Sequence, residues 1–147
     1  MILLDTNVIS ALMQREVDRV VVAWLDSQPP ESIWTTSITV LEIRFGLEIL
    51  ASGRRRRSLE EAFDKTLQED FEGRVVPFDE AGAQSAARIA AERRRLGRTI
   101  ESRDLQIAGI AAARKAAIAT RNVRRFEGLG SELIDPWSSL PRGKTPP

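Results

Sequence analysis

The stretch Met1-Ile2-Leu3-Leu4-Asp5-Thr6-Asn7 opens the chain with an apolar run that ends in a carboxylate. Such a run is typical of a strand that is buried on both faces, as strands are in a parallel sheet. In open α/β folds, ligands bind at the edge formed by the carboxyl ends of the parallel strands. We therefore expect a strand at Ile2–Asp5 that delivers the side chain of Asp5 to this edge.

Strand-like and helix-like segments alternate along the rest of the chain. Further strands are predicted at Ser32–Thr36, Arg74–Val76, Ala117–Thr120 and Glu132–Asp135. Strands that alternate with helices imply right-handed crossovers and a mostly parallel sheet with helices on both faces. The predicted fold is α/β, a three-layer α/β/α sandwich of about five strands in the order 3-2-1-4-5.

Helical segments are predicted from the spacing of apolar residues and from capping residues. They span Val8–Met13, Val17–Ser27, Thr39–Ala51, Ser58–Glu72, the stretch from the cap Asp79 through Leu96, and the Ala-rich segment Ser102–Ala116, which we expect to pack closely. A chain of 147 residues fits one domain, to which we assign residues 1–137. Residues 138–147 contain three prolines and little apolar content, so a flexible tail is expected there.

The composition excludes several kinds of chemistry. The chain has no cysteine and no histidine, which removes disulfides, thiolate catalysis and the usual histidine-assisted nucleophiles. No stretch approaches the ~18–20 apolar residues of a membrane span, and no basic region precedes the first strand as in a signal peptide. We expect a cytoplasmic protein without membrane association, whose chemistry depends on carboxylates, hydroxyls, amides, Arg, Lys or an oxygen-liganded metal.

Three more oxygen-bearing side chains, Glu42, Asp104 and Asn122, lie at strand–helix junctions. Each has an ordinary structural explanation: Glu42 fits a capping box with Thr39, Asp104 suits the first turn of a helix, and Asn122 suits a turn. Asp5 and Asn122, however, close strands predicted to be neighbours, while the other two acids open helices at the same edge. Together the four side chains are expected to line one cleft.

Three carboxylates in one cleft repel one another, by roughly 4 kcal/mol for two unit charges about 4 Å apart at an effective dielectric of about 20. A hard divalent cation relieves this repulsion, and Mg²⁺ or Mn²⁺ is the natural fit for oxygen ligands. A metal-activated water is a nucleophile that needs no histidine.

Net charge is only +1, but arginines are clustered at 54–57, 93–98 and 121–125. Each cluster either binds phosphate or forms a solvated helix face. The substrate that best matches an acidic cleft rimmed by arginines is a phosphodiester.

Four short motifs, in this order, resemble the signatures of the PIN-domain family, most closely the VapC/FitB-like toxins of type II toxin–antitoxin pairs. They are Leu4-Asp5-Thr6-Asn7, Thr39-x-x-Glu42, Asp104-Leu105-Gln106-Ile107-Ala108, and Ala119-Thr120-Arg121-Asn122 with Phe126. The resemblance runs from Met1 to about Trp137. It implies a Mg²⁺-dependent endoribonuclease that is held inactive by a cognate antitoxin protein, usually dimerises, and reaches operator DNA only through the antitoxin.

The resemblance also assigns residues. Asp5, Glu42 and Asp104 match the catalytic metal ligands, Asn122 stands at the fourth ligand position, and Thr6 or Ser37 would be a polar helper around the cofactor.

Two features depart from the family pattern. The fourth position is often Asp, and Asn122 removes one negative charge, so a second metal should bind more weakly. Many relatives carry an acid shortly afterwards, where this chain has Arg124-Arg125. Arg125 in the cleft would bind phosphate or partly replace metal charge, but we expect it to point to solvent.

Two other functions remain as alternatives. A PIN fold with these substitutions would act as a binding module, holding its antitoxin on operator DNA or occupying RNA without efficient cutting. A phosphotransferase of haloacid-dehalogenase type would use Asp5 as nucleophile, although that family's Asp-x-Asp is Asp5-Thr6-Asn7 here. A partner surface is predicted around Val17–Leu25, a helix that is apolar on more than one face and that suits core packing, a homodimer contact or an antitoxin helix.

Overall fold

The sheet of the protein, seen in a computed structural model that describes residues 1–138, has five strands in the order β3-β2-β1-β4-β5. The strands are β1 Ile2–Leu4, β2 Ile33–Thr36, β3 Val75–Val76, β4 Ala117–Ala119 and β5 Leu133–Ile134. Every neighbouring pair is parallel. The predicted fold class and strand order are therefore confirmed.

Helices cover both faces of the sheet. In the described part of the chain they are α1 Thr6–Met13, α2 Arg19–Asp26, α3 Ser37–Glu48, α4 Arg54–Lys65, α5 Glu80–Arg95 and α6 Ser102–Arg114. A π-helical turn, Thr66–Asp70, extends α4, and short 3₁₀ helices span Pro30–Ser32 and Val123–Phe126.

The central strand β1 is buried on both faces, as its unbroken apolar run predicts. Leu3 lies in a core cluster with Ile107 of α6, and Leu4 lies in a second cluster with Val8 and Ile9 of α1. Adjacent strand residues point to opposite faces, so the two clusters occupy the two sides of the sheet. This double burial holds β1 rigidly and fixes the position of Asp5, the residue that follows it.

Helices α5 and α6 pack in close contact, as the alanine content of α6 predicts. A Cβ atom added at Gly109 would lie 2.6 Å from the carbonyl oxygen of Gly82 and 2.7 Å from Cβ of Ala86. Only a glycine allows this approach without movement of the neighbouring helix. The packing sets the position of α6, whose first turn carries Asp104.

Four predicted helix starts were off by two or four residues. Helix α1 begins at Thr6 rather than Val8, and α2 begins at Arg19 rather than Val17. Helix α3 begins at Ser37 rather than Thr39: Thr36 is the N-cap, and its Oγ1 accepts a hydrogen bond from the Thr39 amide at 3.1 Å. The predicted capping box between Thr39 and Glu42 is therefore absent, and Glu42 lies in the second turn. Helix α4 begins at Arg54 instead of Ser58, so part of the arginine run is its first turn.

The end of the chain is only partly described. Ser138 donates its amide to the carbonyl oxygen of Asp135 at 3.2 Å, while the rest of the predicted flexible tail, residues 139–147, lies outside the described residues. Among the helices of residues 1–138, none has both the length and the apolar content needed to cross a membrane.

Candidate active site

Asp5 lies directly beyond β1, at the carboxyl edge of the sheet, and its side chain is fully buried. Its backbone amide donates to the carbonyl oxygen of Ala119 at 2.9 Å, which continues the pairing of β1 with β4. Its Oδ1 accepts from the Thr6 amide at 2.8 Å and so caps α1. A buried carboxylate must be satisfied by hydrogen bonds or by a cation, and Oδ1 has one such partner.

The other carboxylate oxygen of Asp5 is held by a network from β4. The Thr120 hydroxyl donates to Asp5 Oδ2 at 2.9 Å. It also accepts from Asn7 Nδ2 at 3.2 Å and from the Asn122 amide at 3.1 Å. Asn7 Oδ1 in turn accepts from the amide of Arg121 at 3.0 Å. Thr120 makes one donation and accepts two hydrogen bonds, which fills the capacity of a hydroxyl and locks the Asp5 rotamer.

Thr120 and Asn7 were not predicted as site residues, although both stand in the quoted motifs. A threonine after a strand and an asparagine after an acid have many ordinary uses in turns. Their position on each side of the β1–β4 pair is the signal that would have identified them. The parallel register of Leu4 with Ala119 places the residues after both strands side by side.

Arg125 joins Asp5 to Asp104. Its Nη2 donates to Asp5 Oδ2 at 3.0 Å and to Asp104 Oδ1 at 2.8 Å. The expectation that Arg125 points to solvent was therefore wrong. The 3₁₀ helix Val123–Phe126 turns its side chain back into the cleft, where two carboxylates share its single positive charge. The guanidinium also lies over the Phe126 ring at 5.0 Å.

The half-buried Glu42 faces the same pair of acids. Burial raises the pKa of Glu42 and the charge of Asp5 raises it further, while Arg103 and Arg125 oppose the shift and Asp104 adds a smaller increase. Its Oε1 is buried and has no hydrogen-bond partner among the described residues. Burial also raises the pKa of Asp104, although Arg125 opposes the effect. These shifts have the causes expected of acids that share a poorly solvated cleft.

The remaining predicted residues lie in two environments. Thr6 and Asn122 line the same open groove as Glu42, and the Thr6 hydroxyl is buried without a partner among the described residues. Ser37 instead accepts a hydrogen bond from the Phe78 amide at 3.1 Å, which ties α3 to the chain after β3. Its role as a polar helper around a cofactor stays a prediction.

The groove beside the acids has a volume of about 720 Å³. Its far wall carries Arg121 and Trp137, with the guanidinium carbon 4.7 Å from the centre of the indole ring. Trp137 Nε1 donates to Asp18 Oδ2 at 2.8 Å, and this hydrogen bond lowers the pKa of Asp18. A groove of the same volume lies along α5 and residues 128–130, but none of the clustered carboxylates lines it.

The oxygen ligands of the cleft suit a hard cation, but the carboxylates are not arranged as a complete metal site. Within residues 1–138, no three acidic side chains are positioned to hold a metal as they stand. Asp5 and Asp104 bond the same nitrogen of Arg125, so their oxygens lie no farther apart than the sum of those two bonds. With the unpartnered Glu42 oxygen and the Asn122 amide nearby, all the available ligands are oxygens, as Mg²⁺ prefers.

Comparisons with known proteins agree with this architecture. The family model for the PIN domain matches residues 2–130. "VapC ribonuclease Y4jK" of Sinorhizobium fredii is 40% identical over 137 residues, which are 93% of this chain and 98% of that protein. "Toxin FitB" of Neisseria gonorrhoeae is 36% identical over 137 residues, 93% of this chain and 99% of that protein.

A solved structure of FitAB bound to an IR36 DNA fragment contains a similar chain. It superposes with a TM-score of 0.83 at 36% identity, over 93% of this chain and 96% of that one. Sequence and fold thus agree over nearly the whole length of both relatives. The chain belongs to the PIN-domain family, and within that family to the VapC- and FitB-like toxins.

Proposed function

We propose that this protein is a Mg²⁺-dependent endoribonuclease that acts as the toxin of a toxin–antitoxin pair. The observation that carries the proposal is the convergence of Asp5 and Asp104 on one cationic group, with the unpartnered Glu42 oxygen facing them. The 40% identity to a protein named VapC ribonuclease supports RNA as the substrate.

Four side chains would hold the cation: the carboxylates of Asp5, Glu42 and Asp104 and the amide oxygen of Asn122. When bound, the ion would act as a Lewis acid: it would activate water as a nucleophile and stabilise charge on phosphoryl oxygens. Mn²⁺ is a plausible substitute because it accepts the same oxygen ligands. Thr120 fixes the orientation of Asp5 through its 2.9 Å hydrogen bond. Asn122 has one charge fewer than an aspartate, so a second ion would depend on the phosphates of the substrate.

The far wall of the groove suits an unpaired strand of RNA. Arg121 offers a planar fork that matches phosphate oxygens, and its guanidinium lies over the half-buried ring of Trp137, which holds the arginine plane in place. Proteins recognise single-stranded RNA largely by stacking bases on aromatic rings or arginine planes. We therefore propose that cleavage occurs in unpaired segments, with the backbone bound between the acids and this wall.

Cleavage of a mixed RNA pool tests the enzymatic proposal. The purified protein is expected to cut RNA with Mg²⁺ or Mn²⁺ and to stop when EDTA is added. Asp5→Asn and Asp104→Asn should lose this activity. Asp64→Asn is the matched control, since Asp64 pairs with Arg44 at an exposed position and lies outside the groove. Unchanged cleavage by the Asp5 and Asp104 variants would refute the assignment.

Target choice needs a separate experiment. Mapping transcript ends after induction of the wild type, beside an Asp5→Asn control, is expected to reveal a set of cuts that only the wild type makes. The same cuts in both strains would show that another nuclease makes them.

A cognate antitoxin is the proposed protein partner, with operator DNA bound only through it. The FitAB structure on DNA supports this, because a chain of the same fold and 36% identity occurs in that assembly. The partly buried apolar residues of α2, including Val20 and Leu25, remain the proposed contact for an antitoxin helix. Co-purification with the product of the adjacent open reading frame is the expected result; a lone, non-toxic protein would contradict it.

A homodimer is also proposed. Leu41 and Phe45 on α3 and Ile49, the C-cap of this helix, are spaced four residues apart and are 51%, 50% and 68% exposed. Residues four apart lie on one helix face, so the three form a continuous apolar stripe. An exposed apolar patch is typical of an interaction surface. Analytical ultracentrifugation should find a dimer that Phe45→Glu dissociates, and a monomeric wild type would refute the proposal.

A second candidate function is a binding module with little or no nuclease activity. Arg125 favours it, because an arginine already neutralises the two acids that would hold the metal. Thermal melting with Mn²⁺ separates the two functions. A ligand at about 100 times its dissociation constant stabilises a protein by about 2.7 kcal/mol, so an unchanged melting temperature at millimolar Mn²⁺ would favour the binding module.

A further inference from the structure

Arg125 occupies the position where the acidic oxygens meet. A single nitrogen, Nη2, bonds Asp5 Oδ2 at 3.0 Å and Asp104 Oδ1 at 2.8 Å. Asp5 is fully buried and the Asp104 side chain is 13% exposed, whereas that of Arg125 is 33% exposed. The guanidinium thus lies between the groove, which Arg125 lines, and the two acids.

The oxygens that Arg125 bonds have little room for a second cation. Asp5 Oδ2 already accepts from the Thr120 hydroxyl as well as from Arg125, and a carboxylate oxygen offers about two lone-pair directions. Mg²⁺ requires its ligands at about 2.0–2.1 Å in near-octahedral geometry. A cation that binds Asp5 Oδ2 would therefore have to displace one of its two donors, and Arg125 Nη2 is the donor that also bonds Asp104.

We propose that Arg125 is a resident competitor of the divalent cation, so that metal binds the Asp5–Asp104 pair only when the guanidinium withdraws. This inference rests on the proposed function and deepens it by naming a control on the same site. Arg125 gives the two acids a shared counter-charge and lowers their affinity for the metal. The neighbouring Arg124 is exposed and bonds neither acid among the described contacts, which makes it the matched control.

Metal affinity of variants is the first test. Isothermal titration with Mn²⁺ compares the wild type, Arg125→Gln and Arg124→Gln, which lose the same charge. Close, hydrogen-bonded charge pairs have measured couplings of about 1.5 kcal/mol or more, or about tenfold in affinity. Arg125→Gln is therefore expected to bind Mn²⁺ about tenfold tighter than Arg124→Gln or better. Equal or weaker binding by Arg125→Gln would overturn the inference.

A measurement on the unmodified protein keeps the test valid even if Arg125→Gln folds poorly. Arg125 Nε is buried and lacks a hydrogen-bond partner among the described residues, so its N–H should exchange slowly and give a distinct ¹⁵N side-chain signal. Titration with Mg²⁺ is expected to shift this signal in proportion to saturation and to leave that of Arg124 in place. An Arg125 signal that stays fixed at saturating Mg²⁺ would overturn the inference.

Asp5→Asn separates failure of the inference from failure of the proposed function. If Asp5→Asn loses Mn²⁺ binding while Arg125→Gln binds no tighter than Arg124→Gln, the metal site stands and the competition is wrong. If Asp5→Asn binds Mn²⁺ as well as the wild type does, the proposed metal site is wrong, and the proposed competition is then wrong as well.

Discussion

Glu42→Gln should stabilise the metal-free protein while it removes metal binding. The Glu42 carboxylate is half-buried, has an unpartnered oxygen, and faces the charges of Asp5 and Asp104. Glutamine keeps the polar atoms but not the charge, so it removes the desolvation and repulsion penalties of the carboxylate. Glu42 remains partly solvated, so screening reduces these penalties and we expect a gain of about 1 kcal/mol. For a domain of this size that corresponds to a rise of about 2–4 °C in melting temperature.

The pH dependence of this gain tests its cause. Because the pKa of Glu42 is raised in the folded protein, its penalty is fully present above the folded pKa. It is lost as the pH falls from there to the ordinary value of 4.5. The advantage of Glu42→Gln should therefore be present at pH 7 and shrink toward pH 4.5.

Calorimetric melts of the wild type, Glu42→Gln and Glu61→Gln, a control at an exposed position of α4, measure this effect without metal. Saturating Mg²⁺ should then raise the melting temperature of the wild type and of Glu61→Gln, but not of Glu42→Gln. A metal-free Glu42→Gln that melts below the wild type at pH 7, or a gain that is independent of pH, would refute the reasoning.

Two further predictions concern the parts that hold the site. Gly109→Ala should destabilise by about 1–3 kcal/mol, because its Cβ would lie 2.6 Å from the Gly82 carbonyl oxygen; Gly46→Ala, with open space around it, should instead stabilise by about 0.4–1 kcal/mol. Urea unfolding measures both, and equal effects would contradict the packing argument. Thr120→Val should cost about 1–3 kcal/mol and weaken Mn²⁺ binding because Asp5 loses its hydroxyl donor, while Thr120→Ser should behave like the wild type in the same assays.

The sheet and Asp5 could be predicted because their signals are local and repeated. A strand buried on both faces has to be apolar throughout, and all three residues of Ile2–Leu4 are apolar. Once the strand order was inferred from the alternation with helices, the residues after β1 and β4 had to be neighbours. The confirmed pairing of Leu4 with Ala119 is the physical basis of the site.

The start of α3 and the direction of Arg125 depend on contacts that the sequence pattern does not contain. Thr36 and Thr39 are both residues that favour the N-cap position. Thr36 is the N-cap of α3 because it ends β2 and its hydroxyl oxygen accepts a hydrogen bond from the Thr39 amide. Arg125 looks like a surface arginine beside Arg124. Its side chain turns inward because Asp5 and Asp104, from distant parts of the chain, both require a counter-charge.

An anomalous difference map of a crystal grown with Mn²⁺ would locate the metal directly. One strong peak is expected at bonding distance from Asp5 Oδ2 and Asp104 Oδ1, with Glu42 turned toward it and Arg125 moved away. A crystal saturated with Mn²⁺ in which Arg125 still bridges the two acids, and the peak is absent from the cleft, would contradict the proposed metal site.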